Sequence, residues 1–192
     1  MKKHSITILY NSPVILTFAL LSLAALALGR LTDGWTTQNL FCVFRSPLTD
    51  LLTYPRFFLH VLGHGDFPAY CANIVIMLAV GPTVEERFGS RRLLLAILVT
   101  ALVTGLVLWF FFPTTALMGA SGVVFMLIVL ASFAGVHGGT IPLTLILVLV
   151  LYLGGEIVQA VTGTAGLQQL THIAGGVVGV VFGFLSSRGG RR

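Results

Sequence analysis

Six long apolar runs, at residues 13–29, 67–84, 93–112, 121–136, 141–161 and 167–185, leave this chain few ways to fold. A helix that crosses a bilayer needs about 20 mostly apolar residues, and six such runs nearly fill the 192-residue chain. Glu156 is the one carboxylate inside any of them. Charged residues make up 9% of the chain, against about 25% in a soluble domain, so there is too little polar surface to face water. A soluble enzyme is excluded, and the short connections leave no room for a separate soluble domain. The expectation is one all-α polytopic membrane domain over residues 1–192. Its 22 glycines suit closely packed membrane helices.

The charges set the topology. Six spans put both termini on one side, together with Lys2, Lys3, the connection at residues 85–92, and Arg188, Arg191 and Arg192. On the other side Arg30, Arg45 and Arg56 are balanced by Asp33, Asp50 and Asp66. Basic residues gather on the cytoplasmic side, so both termini are predicted to be cytoplasmic, in a membrane of the bacterial inner-membrane type. The high pI follows from the same distribution and gives no stripe for nucleic acid. Lys2, Lys3, the first run and Ala25-Leu26-Ala27 also fit a signal peptide; we read the run as a retained helix. The external segment at residues 30–66 holds Trp35, Phe41, Phe44, Leu51, Leu52, Tyr54, Phe57 and Phe58, too apolar for a solvated linker. It is expected to lie partly in the membrane interface. Cys42 and Cys71 have no metal or redox spacing, and no disulfide framework is expected.

The fourth run is short. Its 16 residues make a helix of about 24 Å, less than the hydrocarbon thickness of about 30 Å. If it ends at the cytoplasmic face, its first residue, Ser121, lies within the membrane, and the preceding residues 113–119 dip in as irregular backbone. Such backbone is tolerated at that depth only where protein shields it or water fills a cavity. A hydrated pocket open to the outside is therefore expected. Counted from the cytoplasmic end of each run, Ser121, His172, Asn73 and Glu156 all fall about 17–22 Å up. Intramembrane polar groups face the bundle interior and mark function.

Each of these residues has a plain reading beside the chemical one. Ser121, in Gly119-Ala120-Ser121-Gly122, is either a helix cap among small packing residues or a nucleophile beside oxyanion-binding N–H groups. His172 shares a helix face with Gly175, Gly176 and Gly179; it is either an interfacial residue or a base brought close to a neighbouring helix. A serine and a histidine at one depth favour the second reading of both. Glu156 is either a water-facing residue or one that biases movement of the fifth helix. His60 and His64 stand at i, i+4 spacing, but without an HExxH pattern a zinc site is not expected.

From about Arg56 to Gly179 the chain resembles the rhomboid family of intramembrane serine proteases. The pieces are His60 and His64 leading into Asn73, then Val84-Glu85-Glu86-Arg87-Phe88-Gly89-Ser90, Gly119-Ala120-Ser121-Gly122 for the family's GxSG, and His172-Ile173-Ala174-Gly175 with Gly179 for its HxxGxxxG. The resemblance implies a six-transmembrane-helix bundle with a short fourth helix and a membrane-associated external loop between helices 1 and 2. It implies a Ser121 nucleophile and a His172 general base without a third member. It implies an oxyanion hole from the Ser121 backbone N–H with help from the Asn73 side chain, Gly119 supporting it, and no cofactor or metal. Substrates would be single-pass transmembrane proteins in the lipid bilayer. Three departures stand out. Ala69 occupies a position where the family commonly has histidine, Pro55-Arg56 replaces Trp-Arg, and Phe125 replaces a tyrosine. Two rival functions are a catalytically impaired relative that binds membrane clients, which Ala69 favours, and a small transporter, for which the inverted repeat is missing.

Overall fold

The computed structural model describes residues 10–133, 143–148, 150, 154, 158 and 166–189. Helix α1 spans Pro13–Leu31, with proline in its first turn, where a missing N–H costs nothing. The segment after it then folds as a short α2 (Trp35–Asn39), a strand β1 (Val43–Phe44), α3 (Thr53–Leu59) and a 3₁₀ turn at His60–Leu62. Helix α4 (Phe67–Phe88) starts on Asp66, whose carboxylate accepts the Ala69 N–H at 2.8 Å. Helix α5 covers Ser90–Phe111, and β2 (Ala116–Leu117) pairs antiparallel with β1, Val43 opposite Leu117 and Phe44 opposite Ala116. Helices α6 (Ser121–Phe133), α7 (Leu143–Val148) and α8 (Leu167–Gly189) complete the described elements.

Four of these helices are long and apolar enough to cross a membrane: α1, α4, α5 and the Gln169–Ser186 stretch of α8. At the fourth apolar run stands α6, a shorter apolar helix with 13 described residues that begins at Ser121. Of the expected fifth span, only α7 and a few single residues are described. Glu156, residues 134–136, Lys2, Lys3, Arg191 and Arg192 lie outside the described residues.

The expected connection at residues 85–92 is corrected. Helix α4 runs on to Phe88 and α5 starts at Ser90, so the turn is Gly89 alone, at φ +84°. Glutamate and arginine are good helix formers, and only glycine adopts that φ readily, so the helices outlast their apolar runs and stop at the first residue able to reverse the chain. The same effect carries α8 to Gly189, past the expected end at residue 185.

Helix α6 is the centre of the bundle. It is apolar on every side, as a helix surrounded by others must be, and residues 122–127 are all buried. Helix α8 lies against it along Gly175, Gly179 and Gly183. A side chain at Gly175 would run into the Gly122 carbonyl oxygen, and one at Gly179 would meet the Met126 carbonyl oxygen at 2.8 Å. Helix α1 joins the bundle through a buried carboxylate: Glu85 on α4 accepts the N–H groups of Val14 and Ile15 at 3.0 and 3.1 Å, and the Ser90 hydroxyl at 2.7 Å. Those N–H groups open α1 and have no carbonyl within the helix to reach. Ile15 is fully buried where Gly81 leaves room for it. This first helix is therefore packed into the core. Large apolar side chains such as Leu20, Leu95, Val75 and Phe184 point outward instead.

Candidate active site

The segment between α1 and α4 is held by Arg56. The residue is 3% exposed; its Nε donates to the Asn39 carbonyl at 2.8 Å, one terminal nitrogen meets the Asp50 carboxylate at 2.8 Å, and the guanidinium lies over the Phe44 ring. The Leu52 N–H and the Arg56 charge together hold the Asp50 carboxyl below its usual range. One turn further on, His60 is buried. Its Nδ1 donates to the Arg56 carbonyl at 3.1 Å and its Nε2 faces the Thr104 hydroxyl at 3.2 Å. Burial lowers the His60 pKa to about 4, against a smaller opposing effect of the Arg56 and Phe57 carbonyls, so the ring is neutral at physiological pH.

The backbone of His60 reaches the loop that leads to the serine. Its carbonyl accepts the Gly119 N–H at 2.9 Å, and Gly119 sits at φ +119°, where a side chain would be strained. With the β1–β2 pairing, this fixes both ends of the residue 116–119 segment. The first bond within α6 runs from the Val124 N–H to the Ala120 carbonyl, 2.9 Å. Ala120 is thus the cap position, with no side-chain oxygen to serve as a cap. The N–H groups of Ser121, Gly122 and Val123 lie ahead of that bond and have no acceptor in their own helix.

Ser121, Gly119, Asn73 and Ala69 line one cavity of about 360 Å³, together with His64, Leu117 and Thr171. The Asn73 amide donates one hydrogen to the Ala69 carbonyl at 2.9 Å and carries a second. His172 follows Thr171 on α8, and its ring stacks on Phe125, with centroids 4.3 Å apart and planes 6° from parallel. Phe125 is one turn along α6 from Ser121. A phenyl ring at this position thus supplies the stacking face without a hydroxyl. His64 is buried, donates from Nδ1 to the Leu62 carbonyl at 3.2 Å and meets Tyr70 edge-on. Burial lowers its pKa.

The structure thus gathers Asn73, Gly119 and Ser121 around one cavity and sets His172 beside the same helix, whereas Glu156 lies outside the described residues. It also narrows one expectation. The Gly119 N–H is taken by His60, so Gly119 shapes the loop and is not free to bind an oxyanion. The clamp itself had no signature in the sequence, because a backbone carbonyl provides it. Among the described residues, no group of three histidine, cysteine or acidic side chains is arranged to hold a metal, and His60 spends both ring nitrogens on its protein neighbours.

The sequence model of the Rhomboid domain matches residues 52–189, which is more than half of the chain and contains every residue of this cavity. No curated protein matches the chain significantly. Apolar helices of spanning length and this match give one conclusion: the chain is an integral membrane protein of the rhomboid family.

Proposed function

We propose that this protein is an intramembrane serine endopeptidase that cleaves transmembrane segments of single-pass membrane proteins through a Ser121–His172 dyad. The observation that carries the reading is the cavity at the uncapped start of α6, where Ser121 and Asn73 share one lining. A substrate segment enters sideways between the second and fifth spans and unwinds. The Ser121 Oγ attacks the scissile carbonyl carbon while His172 takes its proton, and His172 returns that proton to the leaving amine as the C–N bond breaks. The oxyanion is met by the N–H groups at the start of α6 and the second hydrogen of the Asn73 amide. Water from the external side then attacks the acyl carbon, the bond to Ser121 breaks, and its proton passes through His172 back to the serine. This reading includes six spans, a membrane-associated external segment, cytoplasmic termini and a bacterial inner-membrane location.

A second reading has one observation behind it. Ala69 brings no side-chain donor to the cavity, and its carbonyl occupies one hydrogen of Asn73. A protein that binds membrane clients with impaired catalysis would look the same. Reconstitution with a helical membrane substrate bearing a small residue near its outer end separates the two. Cleavage by the wild type that Ser121→Ala and His172→Ala both abolish supports the protease. Equal background in all three supports the client-binding protein.

A further inference from the structure

We infer that the surface around Arg45 is a binding site for the headgroup of an anionic phospholipid, a property separate from the cavity and independent of whether Ser121 is active. Arg45 is exposed in the turn after β1, and its guanidinium lies 5.4 Å from the centroid of Trp109. Trp109 donates from Nε1 to the Ser46 carbonyl at 3.2 Å and packs edge-on against Phe110, so the turn and the end of α5 form one surface. The same turn and helix end expose large apolar side chains: Leu48 is 53% exposed, Leu51 81%, Phe110 62% and Phe111 74%.

Charge complementarity names the occupant. Of the three charges in the turn and α3, Arg56 and Asp50 neutralise each other in the one ion pair among the described residues. Arg45 is left as a net positive charge on the surface that exposes these apolar side chains. Helix α5 has 22 residues, about 33 Å, so its last turn stands at the edge of the hydrocarbon, which is about 30 Å thick. Tryptophan gathers at that level. The apolar side chains suit acyl chains and the guanidinium suits a phosphodiester oxygen, so the site fits a lipid and not a free phosphate, which would leave those side chains in water. An anionic headgroup is favoured over a zwitterionic one because no ammonium then stands against Arg45. One basic residue beside anionic headgroups gives roughly fivefold local enrichment.

Trp109 reports on the site directly. The chain has two tryptophans, and Trp35→Phe leaves Trp109 alone. The full-length protein is reconstituted in phosphatidylcholine with trace phosphatidylglycerol or trace phosphatidylcholine brominated near the top of the acyl chain. The expected result is stronger quenching by the brominated phosphatidylglycerol, equivalent to roughly fivefold enrichment. Arg45→Gln should remove that preference while quenching by brominated phosphatidylcholine stays the same, and Arg45→Lys should keep it in part. Equal quenching by the two lipids, or a preference that survives Arg45→Gln, overturns the inference. If Arg45→Gln loses quenching by both lipids, Arg45→Lys decides: a retained preference supports the site and a lost one overturns it.

Discussion

At the scale of single residues, the site depends on groups that pin other groups. His60 is the clearest case, with a neutral ring tied to Arg56 and a carbonyl that holds Gly119. Its pKa is lowered to about 4 in the folded protein from about 6.5 when unfolded. Between these values the unfolded chain binds more protons, so His60's contribution to stability is complete above pH 6.5 and is lost as the pH falls toward 4. The expected loss is about 3 kcal/mol, read as a falling thermal midpoint in detergent micelles. His60→Gln should flatten that slope even though it lowers stability at neutral pH; an unchanged slope contradicts the account. Ala69 is the other telling residue. Adding an oxyanion donor with Ala69→His is expected to raise turnover by up to ~10²-fold, since one such donor is worth about 10²–10³. No gain would mean that Asn73 and the start of α6 already complete the hole. Side chains with chemistry of their own, Ser121, Asn73 and His172, could be singled out as candidates in the sequence. The His60 carbonyl could not, because any residue carries one and only the fold decides which reaches Gly119.

At the scale of elements, two contacts hold the bundle in register. Helix α8 approaches α6 so closely that Gly175 meets the Gly122 carbonyl. Gly175→Ala must push the helices apart, costing about 1–3 kcal/mol and moving His172 away from α6. Cleavage should fall at least tenfold alongside the lower thermal midpoint; full activity would show that the close approach is dispensable. Helix α1 depends on Glu85, whose carboxylate caps its first N–H groups. Removing that charge with Glu85→Gln should cost about 1 kcal/mol, as for other N-terminal caps, and increase proteolysis in α1 under mild detergent. The glycine face of α8 could be read from spacings of 3, 4 and 7 on a helix. The α1–α4 cap could not, because Glu85 lies far along the sequence from Val14 and only the bundle brings them together. Helix ends were the least legible feature. Apolar runs mark where lipid is, whereas helices end where a residue such as Gly89 can turn the chain.

At the scale of the whole molecule, the reading rests on depth. A chain with 9% charged residues makes any shared layer of polar groups conspicuous. Of the residues in the layer expected from counting helix rises, Asn73 and Ser121 line one cavity and His172 lies on the helix beside it. What the count could not supply is lateral position: helices at the same depth need not touch, and it is the all-apolar α6 at the centre that brings α4 and α8 onto one site. The segment between α1 and α4 was legible only as too apolar for water; that it folds back through Arg56 and β1 to hold the loop before Ser121 emerges in three dimensions. The central claim is that Ser121 is a nucleophile activated by its surroundings, and covalent capture tests it most directly. The protein in bilayer discs is treated with a fluorophosphonate and its labelled peptide is identified by mass spectrometry. The account predicts one adduct, on Ser121, with labelling reduced at least tenfold in His172→Ala; no adduct on Ser121, or labelling indifferent to His172, would contradict it.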